Sequence, residues 1–156
     1  MKAASISVIK KELKNLPPEE LQVIVARLAK YKKENKELLS YLLFEAENEQ
    51  AFIQSVKAEI DEQFSNLNYS SFYLAKKTLR KVLKTTNKHI RFSGIKETEI
   101  QLLIYFCQKL KQSGLNYKAS RVVFNMYINQ IKRINKVLAM LHEDLQFDYR
   151  EEVENL

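Results

Sequence analysis

Apolar residues recur every three or four positions along almost the whole chain, and only two glycines and two prolines interrupt them in 156 residues. This spacing is that of one face of an α-helix. Sheets and loops use many more glycines and prolines at their turns, so the sequence has few places to build them. Lys, Glu, Leu, Ala and Gln, which are good helix formers, are abundant. We therefore predict an all-α protein.

Capping and stop signals divide the chain into six or seven helices. Gly94 and Gly114 each follow a helical segment that ends in basic residues, which is a pattern typical of helix C-termini. A chain of this length fits one domain that needs no disulfide or metal to fold. We predict a single helical domain over residues 1–142, either a bundle or a short α-solenoid-like stack, and an acidic tail over 143–156. The expected helix starts after the first short helix are Pro17–Pro18, Asn35, Asn48, Ser70 or Ser71, a point after Gly94, and Asn116.

Two segments are expected to be well buried. Ile100–Cys107 is apolar almost all round, which predicts the central helix of the fold. Cys107, the only cysteine, is then a buried and unreactive thiol. Tyr41 and Phe44 widen the apolar arc of the third helix, which predicts its burial as well.

The last predicted helix carries a heptad-like apolar seam. One interpretation is a stripe that packs into the core, and the other is a homodimer formed through Phe124–Leu145. The residues of the seam are Phe124, Tyr127, Ile131, Ile134, Leu138, Leu141 and Leu145.

Residues 17–44 form two short amphipathic segments joined by a polar turn at Glu34–Asn35, with leucines at helical spacing. This stretch, less than a fifth of the chain, resembles one helical pair of a HEAT or armadillo repeat. The resemblance implies a right-handed stack of helix pairs with an extended binding face.

Positive charge is concentrated in the middle of the chain. Residues 67–137 carry 15 basic and 2 acidic side chains, and residues 138–156 carry 1 basic and 6 acidic ones. At about 100° per residue, the cations of the fifth and seventh helices each fall on one arc. If these two helices are parallel, the arcs lie side by side and form one binding face. Its residues are Lys77, Arg80, Lys81, Lys84, Lys88, Arg91, Lys118, Arg121, Lys132, Arg133 and Lys136.

A face of one charge sign predicts an anionic partner, since a merely solvated face usually alternates signs. Nucleic acid is the first hypothesis, because its phosphates favour Lys and Arg through counterion release. Asn125 and Asn129 lie among the cations, and Tyr69, Tyr73 and Tyr117 are candidates for base stacking. An acidic protein or an anionic membrane face is an alternative, and the acidic tail is a third candidate to cover the face. A protein–protein adaptor or homo-oligomeric scaffold is the alternative function.

No catalytic or cofactor motif is present. Two glycines cannot build a phosphate-binding loop, and no metal-binding spacing such as H-E-x-x-H or C-x-x-C occurs. His89 and His142 are interpreted as polar residues near helix ends. We therefore expect a non-catalytic protein without a cofactor, and an enzyme of unknown reaction is the third alternative function. We also expect no membrane span, and the absence of a signal-peptide pattern predicts a cytoplasmic protein.

Overall fold

The computed structural model describes residues 1–156 and consists of helices and connecting turns, without a strand. The all-α class is confirmed, whereas the predicted number of six or seven helices is too low. No helix combines the length and the apolar character that crossing a bilayer requires. The helices are α1 (Ile6–Leu13), α2 (Pro18–Tyr31), α3 (Lys33–Ser40), α4 (Glu49–Ser65), α5 (Phe72–Ser93), α6 (Lys96–Gln112), α7 (Arg121–Leu138) and α8 (Glu143–Glu154), with a π-helical turn at Tyr41–Glu45 and a 3-10 turn at Tyr117–Ala119.

Three predicted helix boundaries are confirmed by their capping geometry. The Asn48 side chain accepts a hydrogen bond from the Ala51 N–H (3.1 Å) at the start of α4. Ser71 accepts one from the Leu74 N–H (3.3 Å) at the start of α5. Gly94 ends α5 in the left-handed region, with φ of 68°.

Two predicted caps are wrong. Asn35 lies inside α3, and its side-chain amide donates to the Leu28 carbonyl oxygen of α2 at 2.9 Å instead of capping. Ser120 caps α7 by accepting from the Val123 N–H, because Asn116 is separated from α7 by the 3-10 turn. In both cases a polar side chain lies close to the true helix start, and in the sequence it cannot be distinguished from the residue that caps the helix.

The chain divides into two compact units, Met1–Phe44 and Glu45–Leu156. In the first unit α2 packs against α3, and none of α1, α2 and α3 contains a buried residue. Leu42, Leu43 and Phe44 are 56%, 61% and 77% exposed, so the predicted burial of this segment is wrong apart from Tyr41. A pair of short helices buries only the strip along which they meet, which leaves the other faces in solvent.

The second unit is built around α6. Helices α4, α5 and α7 all pack against it. Cys107 is completely buried, and burial raises the pKa of its thiol to about 12. The predicted central helix is therefore confirmed. The buried residues of α6 are Thr98, Glu99, Ile100, Leu102, Leu103, Ile104, Phe106, Cys107 and Leu110.

Helices α5, α6 and α7 run up, down and up. The two-residue connection Gly94–Ile95 reverses the chain between α5 and α6. Glu99, in the first turns of α6, contacts Arg133 in the second half of α7, whereas Lys111 near the end of α6 and Tyr127 in the first half of α7 both donate to the Leu156 carbonyl oxygen. Helices α6 and α7 are therefore antiparallel, and α5 is parallel to α7.

The C-terminal region differs from the prediction, because α7 ends at Leu138 and a separate helix, α8, covers most of the expected acidic tail. His142 caps α8 by accepting from the Asp144 N–H. Tyr149 of α8 is buried and its hydroxyl donates to Glu97 of α6 at 2.9 Å. Most of the acidic C-terminal segment thus forms a helix that is anchored by one buried aromatic side chain.

The apolar seam 124–145 is interrupted by the break between α7 and α8. Tyr127, Ile134 and Leu141 are buried, and Phe124 and Ile131 are half-buried. This burial is typical of a stripe that packs into the core.

Replacement of Gly94 tests the left-handed end of α5. No atom lies within 4 Å of a Cβ added at this position, so the effect of Gly94→Ala isolates backbone strain. We expect Gly94→Ala to lower the free energy of unfolding by about 1–2 kcal/mol, measured by urea denaturation. Gly94→Asn is the control and should lower the free energy of unfolding by less than Gly94→Ala does, because asparagine tolerates positive φ. An unchanged midpoint for Gly94→Ala would contradict the assigned conformation.

Candidate anion-binding surface

The cations predicted to bind an anion, which we call the candidate surface, are nearly all exposed. Lys88 and Arg133 are half-buried. The exposed members are Lys77, Arg80, Lys81, Lys84 and Arg91 on α5, Lys118 before α7, and Arg121, Lys132 and Lys136 on α7.

Helices α5 and α7 lie next to each other on α6. The Arg133 guanidinium of α7 donates to the Asn87 side-chain oxygen of α5, which marks the line along which the two helices meet. On a helical wheel, the cations of α5 are centred about 70° to one side of Asn87, and the exposed cations of α7 are centred about 90° to the opposite side of Arg133. Because α5 and α7 are parallel, these opposite rotations turn both sets toward the same side, away from α6.

The dimensions of the candidate surface follow from helix geometry. Lys77 and Arg91 are separated by about 21 Å along α5, at 1.5 Å per residue. The rows on α5 and α7 are offset by the usual spacing of packed helices, about 8–10 Å. Duplex DNA carries one negative charge per about 1.7 Å of axis with both strands counted, so about 21 Å of duplex holds on the order of a dozen phosphates, and the surface faces those on one side of it.

Most of these cations have no carboxylate partner. The ion pairs of the protein include none of Lys77, Arg80, Lys81, Lys84, Lys118, Arg121, Lys132 and Lys136. Arg80 and Lys84 are four residues apart on one helix, a spacing at which like charges destabilise the helix by a few tenths of a kcal/mol. The chain therefore keeps a repulsive arrangement on the outside of α5.

Arg133 differs from the other members because it is already paired. Its guanidinium contacts the Glu99 carboxylate at 2.7 and 2.8 Å, and Lys96 contacts the other oxygen of Glu99 at 3.0 Å. Burial disfavours the charged form of Glu99, but the hydrogen bonds and charges of Lys96 and Arg133 outweigh burial and hold the pKa of Glu99 below its usual value. Arg133 thus ties α7 to α5 and α6, and its predicted role in anion binding is not supported.

The acidic C-terminal residues do not neutralise the candidate surface. None of the carboxylates of α8 forms an ion pair with a cation of α5 or α7. The C-terminal backbone instead binds Lys111 of α6, whose ammonium donates to the carbonyl oxygens of Asn155 (2.9 Å) and Leu156 (3.0 Å). The idea that the tail covers the basic face is therefore wrong for this structure.

The three tyrosines suggested for base stacking differ in their surroundings. Tyr117 is half-buried and packs on Tyr127, with ring centroids 5.0 Å apart. Tyr69 is exposed, but its hydroxyl donates to the Ser113 carbonyl oxygen at 2.6 Å. Tyr73 is 71% exposed, and the Lys76 ammonium lies 5.6 Å from its ring centroid. Tyr73 is the member of this group with the most ring surface in solvent.

A polar cluster that sequence reasoning missed joins α4 to α6. Asp61 accepts hydrogen bonds from the Tyr105 hydroxyl at 2.7 and 2.8 Å and pairs with Lys109 at 2.8 Å. Burial and then the neighbouring carboxylate raise the pKa of Tyr105 to about 12. Tyr105 and Lys109 are four residues apart and share a face of α6, but sequence alone does not place Asp61 there. Lys109 is therefore already paired with a carboxylate.

The histidines and acidic residues do not converge on one point. His89 lies between Phe52 and Phe92 in edge-to-face contacts, and its Nε2 is 2.8 Å from the Glu59 carboxylate. No three side chains of His, Cys, Asp or Glu are grouped closely enough to hold a metal ion. His89 therefore joins α5 to α4, which extends its predicted role as a polar residue near a helix end.

Comparison of the chain with protein-family models, with curated proteins and with solved structures gives no match.

The network around Glu99 gives a second prediction. Glu99→Gln keeps the shape of the side chain but leaves Arg133 without its charge partner, so we expect the free energy of unfolding at neutral pH to fall by about 1–3 kcal/mol. Because the folded-state pKa of Glu99 is lowered, its stabilisation is present above the ordinary carboxyl range and is lost as pH falls through the lowered pKa.

The measurement is urea denaturation of both proteins at neutral and at acidic pH. The difference between wild type and Glu99→Gln should narrow on acidification. Glu62→Gln is the control, because Glu62 lies at an exposed position of α4, and the free energy of unfolding of this variant should match that of wild type. A difference in the free energy of unfolding that stays constant with pH would show that the charge of Glu99 is not the cause of the lost stability.

Proposed function

We propose that the protein binds the phosphate backbone of nucleic acid, without reading its sequence, through the cations of α5 and α7. The observation that carries the proposal is a set of exposed cations on two parallel, adjacent helices that form no ion pair with a carboxylate, namely Lys77, Arg80, Lys81 and Lys84 on α5 and Arg121, Lys132 and Lys136 on α7. Self-repulsion on such a surface is relieved by a polyanion, and release of its condensed counterions drives the association.

Several features favour nucleic acid over an acidic protein. The cores of protein–protein interfaces are depleted of charged residues and enriched in aromatic ones, whereas every exposed residue of α5 from Lys77 to Arg91 is a lysine or an arginine. Asn125 and Asn129 are exposed on the same arc of α7, where amide groups can donate to phosphate oxygens. A row about 20 Å long also suits a regular polyanion.

Base-specific recognition is not part of the proposal. A recognition helix needs an exposed polar face that enters the major groove. The helix that follows the tight turn at Gly94 is α6, which is buried among its neighbours. Contacts to phosphate position a protein on nucleic acid but carry no sequence information directly.

The alternative function is a protein–protein scaffold assembled through Phe124–Leu145. The burial of Tyr127, Ile134 and Leu141 leaves this seam little apolar area for a second molecule, so it is not favoured here.

The proposed function is tested by charge reversal on the candidate surface. The wild-type protein should retard a short mixed-sequence DNA duplex, with a plot of log affinity against log salt that has a slope of about −4. Substitution of Lys77, Lys84, Lys132 and Lys136 by glutamate should weaken binding at least about 100-fold, because each lost phosphate contact removes a released counterion.

The control reverses four other exposed lysines, Lys10, Lys11, Lys14 and Lys36, which changes the net charge by the same amount. This variant should bind nearly as well as wild type. An equal loss of affinity in both variants would mean that binding depends only on net charge and not on the candidate surface. Stronger competition by poly-glutamate than by duplex DNA would favour an acidic protein partner and reject the proposal.

A further inference from the structure

The first unit carries apolar side chains that nothing within its own helices covers. Tyr41 is the only buried side chain in residues 1–44. Chains below about 40 residues usually need a disulfide, a metal or a partner to be stable, and the first unit is close to that size. The exposed apolar residues on it therefore indicate a surface that is completed by association.

Helix α2 has two apolar faces with different surroundings. One face packs on α3, where Val25 and Leu28 line an open groove of about 360 Å³ together with Leu38 and Leu39. The other face carries Val23, Ile24 and Tyr31, which are 68%, 37% and 76% exposed. Two further open grooves, of about 330 and 420 Å³, lie along this second face.

The charges that border the second face have opposite signs at its two ends. Glu19 and Glu20 lie in the first turn of α2, and Arg27 and Lys30 lie in its second half. Glu20 and Arg27 fall within about 20° of each other on the helical wheel, on the same side as Val23. None of these four charges takes part in an ion pair.

We infer that a second copy of this chain docks on this face, with the two α2 helices antiparallel across a two-fold axis. A two-fold contact places residue i against j and j against i. With the axis between Val23 and Ile24, Val23 faces Ile24 of the second copy, and Glu20 faces Arg27 of the second copy at both ends. The same helix thus supplies the apolar centre and both complementary charges, which is why a second copy fits better than an unrelated protein.

The apolar centre of the proposed contact extends to Leu28. This side chain is 55% exposed and lines a groove of the second face together with Ile24, Arg27 and Tyr31. Val23, Ile24, Leu28 and Tyr31 of the two copies would therefore cover one another, with the complementary charges at the two ends of the contact.

The test is the mass of the full chain in solution, measured by light scattering over a range of concentrations. Wild type should be a dimer of twice the 18.4 kDa chain mass. Val23→Glu should give a monomer, because it places a carboxylate in the apolar centre. Glu20→Arg and Arg27→Glu should each raise the dimer dissociation constant at least about tenfold by opposing like charges.

The double variant Glu20→Arg with Arg27→Glu should recover the dimer, because the exchange keeps opposite charges facing each other at both ends. Gln22→Glu is the matched control: Gln22 is exposed on another side of α2, and its change should leave the dimer intact. Circular dichroism should show that each variant keeps the helical content of wild type.

A monomeric wild type would overturn the inference, and so would a dimer that survives Val23→Glu. If the single charge variants dissociate the dimer and the double variant does not restore it, the antiparallel arrangement is rejected. Duplex DNA binding is measured with substitutions on α5 and α7, so failure of the dimer and failure of the proposed function are recognised separately.

Discussion

Burial of most of the surface of α6 is the constraint on which the second unit depends. A helix that carries Leu102, Leu103 and Ile104 buried on different faces needs neighbours on several sides to remove them from water. Its neighbours α5 and α7 each turn one apolar face inward, so their opposite faces have to be solvated. The position of the lysines and arginines is therefore a consequence of the same packing that removes α6 from water.

Arg133 differs from the other cations of the candidate surface because it stabilises the packing of the helices. Arg133 is half-buried, and the structure supplies Glu99 and Asn87 as its partners, as expected for a cation that loses part of its hydration. Lys84 and Lys132 remain fully hydrated and need no partner for stability. Clustering them adds repulsion to the folded state, and this arrangement is the observation on which the proposed anionic ligand rests.

Features set by local chemistry were predictable from the sequence, whereas those set by tertiary contacts were not. Gly94 and Ser71 act on their own helix ends, so their roles follow from sequence position. The break before α8 carries no glycine or proline, and Leu141 and Leu145 continue the apolar spacing across it, so the pattern gave no signal. The pairing of Arg133 with Glu99 depends on how α7 is rotated against α6, which periodicity does not fix.

The two proposals concern different units, and together they define how the protein would engage a polyanion. The proposed dimer would carry two candidate surfaces, so binding of the second surface to the same long nucleic acid would be intramolecular. The gain in apparent affinity then depends on the effective concentration of the second site rather than on any new contact. Val23 would in this way affect nucleic-acid affinity without touching it: Val23→Glu should weaken binding to long DNA more than binding to a duplex that spans a single surface.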